Sequence, residues 1–160
     1  MSNSTLKLIV SFLEENNVSF VHLTHEHVHH SEDAAKIRGN VIEDAAKAII
    51  LKVKEKSSKE YRIIQCVLCG HKRIDLKKLK VALNLQSASL ASPEEVLEKT
   101  GCTIGSVPPF GKLLGIEMYV DSSIKDREFI FFSAGTHNDS IKMKSFDFLK
   151  ILNVTVLEVS

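Results

Sequence analysis

Glu43-Asp44-Ala45-Ala46-Lys47-Ala48-Ile49-Ile50-Leu51-Lys52-Val53 reads as an acidic turn feeding an apolar strand. Strand side chains alternate between faces, so Lys47 shares a face with Ile49, Leu51 and Val53, while Lys52 and Lys54 fall on the other. The odd-numbered face is the expected core side. A lysine on it must reach water, find an anion, or sit in a cleft that holds a charged group. After a charged turn at 54–59, residues 61–68 are β-branched and apolar enough to return as the partner of a hairpin.

Working outward, Ser4 is expected to cap a helix to about Asn16, with Leu6, Ile9, Val10 and Leu13 as its apolar stripe. Residues 18–23 read as a strand. Ser31-Glu32-Asp33-Ala34-Ala35 opens a second helix with acidic residues in its first turn, stopped by Gly39-Asn40. Asp75 caps a third helix to about Leu83, and Ser92-Pro93-Glu94-Glu95 is a capping box with proline at the first helical position. Strands are expected at 116–120, 128–132 and 140–143, followed by a helix capped by Ser145 and a last strand at 154–158. Helices mixed with many short strands, without strict βαβ alternation or any repeat, predict an α+β domain around a mixed, curved sheet.

A chain of 160 residues fits one domain, 1–160, and can bury a substantial core. With 21 basic and 20 acidic residues, the global field favours no polyanionic partner, so any nucleic-acid contact must come from a local patch. The only dense basic cluster is His71-Lys72-Arg73 with Lys77, Lys78 and Lys80. Leu76, Leu79 and Leu83 form the inward stripe of that helix, which leaves the lysines as a solvated face or an RNA-backbone contact. Apolar runs are only a few residues long and the N-terminus lacks a secretory pattern, so a cytoplasmic protein is expected, with no membrane partner. Three cysteines fit a reducing compartment. Cys66 and Cys69, three apart on a strand, face opposite ways and read as buried small hydrophobes.

Two loops carry candidate chemistry. In Gly105-Ser106-Val107-Pro108-Pro109-Phe110-Gly111 the glycines permit positive φ or close approach, and the prolines stiffen a loop able to aim N–H groups at a carbonyl or oxyanion. In Phe132-Ser133-Ala134-Gly135-Thr136-His137-Asn138-Asp139 an apolar strand runs into small polar groups, with His137 able to move a proton near neutral pH. Ordinary turns are the competing reading of both. His25, His27 and His29 alternate beside Glu26 and His30, a pattern that invites a metal but equally suits a surface turn, and no metal is expected.

Together, Ser31-Glu32-Asp33-Ala34-Ala35, the Lys47 strand, the run from Thr100-Gly101 through Gly111, and Ser133-Ala134-Gly135 resemble the YbaK-like aminoacyl-tRNA deacylases. That family includes free-standing relatives of the prolyl-tRNA synthetase editing domain. The resemblance covers most of the chain. It implies a barrel-like mixed sheet flanked by helices, and hydrolysis in trans of the ester joining a wrong amino acid to a tRNA 3′ end. Lys47 matches the family's main functional lysine. Thr24, Ser31, Gly105, Ser106, Val107, Pro108, Ser133, Gly135 and His137 are the expected substrate-binding residues, and Lys72, Arg73, Lys77, Lys78 and Lys80, read from their charge, the expected contacts to the backbone of such a tRNA.

The aminoacylated tRNA end is the expected partner, an aminoacyl-tRNA synthetase a second candidate, and DNA is not expected. Ester hydrolysis needs a polarised carbonyl and a positioned water or neighbouring hydroxyl, so no cofactor is expected. The chain departs from some members in having no tyrosine within His22-Leu23-Thr24-His25 and in reading Thr136-His137-Asn138-Asp139 where they are arginine-rich, so no amino-acid specificity is carried over. The rival reading is a non-catalytic module on the same fold that binds tRNA ends or a synthetase.

Overall fold

The structure, a computed structural model, describes residues 2–28 and 30–160. The expected hairpin forms its centre: β2 (Ala46–Glu55) pairs antiparallel with β3 (Tyr61–Cys69) from Ala46↔Cys69 to Lys54↔Tyr61. On the far side of β2 lies β4 (Leu85–Leu90), whose pairing begins only at Leu51↔Leu90 and shifts register between Lys54 and Glu55. β5 (Glu117–Asp121) and β8 (Thr155–Leu157) extend the sheet in parallel beyond β3, giving the order β4-β2-β3-β5-β8. A second sheet holds β1 (Phe20–Thr24), β7 (Asp139–Lys144) and β6 (Phe129–Ser133) in antiparallel order β1-β7-β6.

The sheet system is mixed, as expected, and it does not close into one barrel: two sheets meet at an isolated bridge between Ala45 and Phe131. The helices are α1 (Ser2–Glu15), α2 (Ser31–Arg38), α3 (Leu76–Leu83), α4 (Pro93–Thr100) and α5 (Ser145–Leu152). Capping explains most of their ends. Asp75 accepts from the Lys77 and Lys78 amides, Ser92 and Glu95 close the reciprocal capping box, and Gly39, Gly101 and Asn84 end α2, α4 and α3 in the left-handed region. Two expected caps are not used. α1 starts two residues before Ser4, and Ser145 lies inside α5, where its hydroxyl donates to Ile124 O (2.6 Å).

β2 is buried on both faces, not on the odd face alone. Leu51 and Val53 pack with Ile64, Cys66 and Leu79 of α3, while Ile50 joins Val96 of α4, Cys102 and Val107. Ala46 reaches the largest core, built on Phe110, Phe132 and Phe148. Cys66 and Cys69 enter different clusters, as their spacing requires, and burial pushes the Cys66 thiol up to about 12.

One buried polar residue ties the loop at 105–111 to this frame. The fully buried Gln65 donates to Pro108 O (3.0 Å) and accepts from Gly111 N (2.9 Å). Truncation would leave a buried carbonyl and a buried N–H without partners. Gln65→Ala is therefore expected to lower unfolding free energy by about 1–3 kcal/mol in urea titrations; a loss within the ~0.5 kcal/mol typical of neutral surface changes would show that the loop is held by other contacts.

Candidate active site

The geometry of the site follows from where β4 stops. Ala91 N, just past β4, donates to Ile50 O (3.0 Å), where the pairing of β2 with the β4 segment ends. The two-residue period of a strand turns the Ala48 N–H and C=O to the same edge, in the gap between the end of β4 and the bridge from Ala45 to Phe131 of β6. That open edge forms the floor of a cavity of about 450 Å³. Ala46, Lys47, Ala48 and Ile49 line it from β2, Ser31, Ala34 and Arg38 from α2, Ile104, Gly105 and Val107 from the glycine loop, and Ser133 and Gly70 from the ends of β6 and β3.

Lys47 is half-buried, and its Nζ donates to Gly70 O (3.2 Å). Burial holds its ammonium below the ordinary lysine range and the nearby Arg73 charge adds to the depression, against a smaller opposing effect of Cys69. A carbonyl oxygen satisfies one of its three donors, leaving an ammonium able to bond a ligand.

The glycine loop is clamped from behind. Gly105 and Gly135 both have positive φ (91° and 98°), which a residue with Cβ adopts only at a cost. Ser133 Oγ donates to Gly105 O (2.9 Å) and Gly135 N to Ser106 O (2.9 Å), so the loop and the β6–β7 turn form one unit. The buried Ser106 turns its hydroxyl to Thr103 O (2.8 Å). His137 Nδ1 lies 2.7 Å from Val28 O, and a carbonyl only accepts, so Nδ1 carries the proton. In the neutral ring Nε2 then accepts from Thr103 Oγ1 (2.7 Å).

Of the residues expected from the sequence, Lys47, Ser31, Gly105, Val107 and Ser133 come together on the cavity wall. Ser106, Pro108, Gly135 and His137 stand behind it and brace it. Thr24, exposed at the end of β1 opposite Asp139, lies away from it. His25 bonds Ser140 Oγ (2.7 Å) and His27 stacks on His137 (ring centroids 4.6 Å apart), so these two histidines serve different neighbours; His29 falls outside the described residues. The basic run His71, Lys72 and Arg73 is exposed directly after Gly70, which sets one end of the cluster beside the cavity. Lys77 and Lys78 are exposed and Lys80 half-buried.

Sequence reasoning missed Arg38, Gly70 and the open edge at Ala48. Arg38 reads as a cation complementing the last turn of α2, and the edge depends on where β4 stops pairing, which sequence periodicity does not report.

Comparison with known proteins fits this geometry. Residues 25–151 match the profile of the aminoacyl-tRNA editing domain, so the chain belongs to that family, whose class is the aminoacyl-tRNA deacylases. The Escherichia coli (strain K12) multifunctional Ser/Thr-tRNA deacylase ProXp-y is 32% identical over 148 residues, covering 92% of this chain and 87% of the relative. The uncharacterized protein YwhH of Bacillus subtilis (strain 168) is 38% identical over 82 residues, about half of each chain. Two solved structures share the fold: hypothetical protein APE2540 (TM-score 0.83, 20% identity, 95% of this chain and 98% of that one) and a candidate trans-editing enzyme for prolyl tRNA synthetase (TM-score 0.79, 23% identity, 98% and 96%). Among the described residues no helix is long and apolar enough to cross a membrane.

The depressed Lys47 ammonium has a consequence for stability. Because the folded chain releases this proton at lower pH than the unfolded chain, the unfolded state binds more protons between the two pKa values, and Lys47's contribution to stability rises with pH through that window. NMR of labelled lysine side chains is expected to find one titrating below the others, absent in Lys47→Met, and the Met variant should lose that part of the rise. Lys47 titrating with the exposed lysines would contradict this.

Proposed function

We propose that this chain, acting as one editing domain over residues 1–160, hydrolyses the ester of misacylated tRNA in trans, with Lys47 at the ester. The observation that carries the reading is the meeting, in one cavity, of a desolvated lysine, the braced glycine loop and an open strand edge. Water, positioned by the neighbouring ribose hydroxyl, attacks the carbonyl carbon of the ester, and its proton passes to the departing ribose oxygen. Negative charge then develops on the carbonyl oxygen, and an ammunition of fixed dipoles in a partly dry site stabilises it far better than water does. The Lys47 ammonium and the Ala48 N–H on the open edge are the donors suited to that oxygen. Collapse breaks the C–O bond, freeing the amino acid and a tRNA with its terminal hydroxyl restored.

Beside the larger Val28, Glu32, Ile49, Ile104 and Val107, the wall carries a run of small residues, Ala34, Ala46, Ala48, Ser31 and Ser133, which suits a short aminoacyl group. Seryl- and threonyl-tRNA, the substrates in the name of the E. coli relative, are the first to test. Lys72, Arg73, Lys77, Lys78 and Lys80 would receive the tRNA backbone, since the first two follow Gly70 at the cavity's edge. A cytoplasmic protein serving the tRNA pool, alone or beside a synthetase, is consistent with this reading.

Lys47→Ala is expected to slow deacylation of a panel of mischarged tRNAs by roughly two to four orders of magnitude with the fold intact. Lys47→Arg should fail nearly as badly, because a planar fork does not replace a compact ammonium. Wild-type rates in the alanine variant would end the Lys47 assignment, and tight binding of charged tRNA by the native protein without turnover would favour the binding-module reading. For the RNA body, the triple variant Lys77→Ala/Lys78→Ala/Lys80→Ala is expected to saturate less readily, with the salt slope of binding reduced by roughly one unit per lost phosphate contact and a near-normal maximal rate. Unchanged affinity and slope would make the α3 lysines a solvated face.

A further inference from the structure

Lys47 is not the only cation on the cavity wall. Arg38, in the last turn of α2, also lines it, and among the described residues no carboxylate lies within ion-pair distance of its guanidinium. A half-buried arginine without an acid is unusual, because desolvating a charge is costly unless something compensates it. Burial alone lowers its pKa to about 10, so it remains charged at neutral pH.

Its neighbours orient the guanidinium without neutralising it. Nε donates to Asn40 Oδ1 (3.0 Å) and Nη1 to Ser140 Oγ (3.3 Å), and Phe131 flanks the group with its ring centroid 5.7 Å from Cζ. Ser140, almost wholly buried, is itself fixed: its Oγ lies 2.7 Å from His25 Nε2, and His25 Nδ1 lies 2.8 Å from Glu26 O. Since the Glu26 carbonyl only accepts, His25 holds its proton on Nδ1 in the neutral ring, and Ser140 donates to Nε2 while accepting from Arg38. Nη2 has no acceptor among the described residues, yet it is not among the sealed-off polar atoms left without a partner. The fork is thus held at its base and open at its tip.

We propose that Arg38 is a substrate-binding residue that takes the terminal phosphodiester of the acceptor strand, so that Lys47 is left to the ester. Its chemistry fits that division. A planar guanidinium offers parallel N–H donors that match phosphate oxygens two at a time, whereas an ammonium is a point donor suited to a single oxygen. The proposal rests on the editing reading for the identity of the ligand, and its test is one of binding, so that it can fail or stand apart from turnover.

The probes are the cytidine–adenosine dinucleotide that ends a tRNA and its methylphosphonate analogue, in which the linkage carries no charge, titrated into the full chain and followed by NMR. The native protein is expected to bind the charged dinucleotide about tenfold more tightly than the neutral one, the scale of one charge-assisted pair. Arg38→Gln is expected to reduce that preference to within about twofold, and Lys47→Ala to keep it. If the glutamine variant does not fold, Arg38→Lys, which keeps the charge and loses the fork, is expected to lose a clear part of the preference. No preference in the native protein, full preference in Arg38→Gln or Arg38→Lys, or its loss in Lys47→Ala would each overturn the proposal. A preserved phosphate preference in a protein that deacylates nothing would instead sink the catalytic reading and leave this one standing.

Discussion

β2 is paired along one edge over nearly its whole length and along the other over only half of it. That difference in paired length is the constraint on which the rest of the site depends. Had β4 continued past Leu90, its backbone would occupy the edge at Ala48, short of the β6 bridge at Ala45, and the cavity floor would be another ladder of hydrogen bonds. Instead the chain turns at Ala91 into the Ser92 capping box, and α4 leads to the glycine loop that forms the cavity's far wall. The capping box, energetically a local device, therefore has a distant effect: it ends the strand where the site must begin.

A free strand edge is ordinarily a hazard, because its N–H and C=O groups invite pairing with another chain. Here the edge is short and recessed. α2 covers it on one side and the loop at 104–107 on the other, and the loop is kept in place by the Gln65 bridge to Pro108 and Gly111 and by Ser133 and Gly135. The result is a set of backbone dipoles and two cations fixed before any ligand arrives. In the proposed function, such preorganisation would be what stabilises the charge that develops on the ester oxygen.

Much of this was legible in the sequence where local rules apply. The Lys47 strand and its hairpin partner, the Asp75 cap and the Ser92 capping box follow from alternation and capping chemistry, and the structure contains all of them. Strand β4 was not legible: Leu85-Gln86-Ser87-Ala88-Ser89-Leu90 is poor in β-branched residues and is held by its neighbour β2 more than by its own propensity. Ser145 looked like a cap because serine favours that position, but a tertiary acceptor, Ile124 O, claims its hydroxyl. Both faces of β2 proved buried because helices α3 and α4 lie on opposite sides of it, a fact of topology that a single strand's pattern does not carry.

The site shows the same division. Lys47 was visible because a charge on a core face is a local contradiction. Arg38 was not, since a cation closing a helix violates nothing, and only the fold brings Ser140, Asn40 and Phe131 around it. The most direct test of the account is a crystal structure of the protein with a non-hydrolysable 3′-amide analogue of an aminoacylated dinucleotide. The account predicts the amide carbonyl oxygen within hydrogen-bonding distance of Lys47 Nζ, over the open edge at Ala48. An analogue bound with its aminoacyl group outside this cavity, or with Lys47 still turned to Gly70 and away from the ligand, would contradict it.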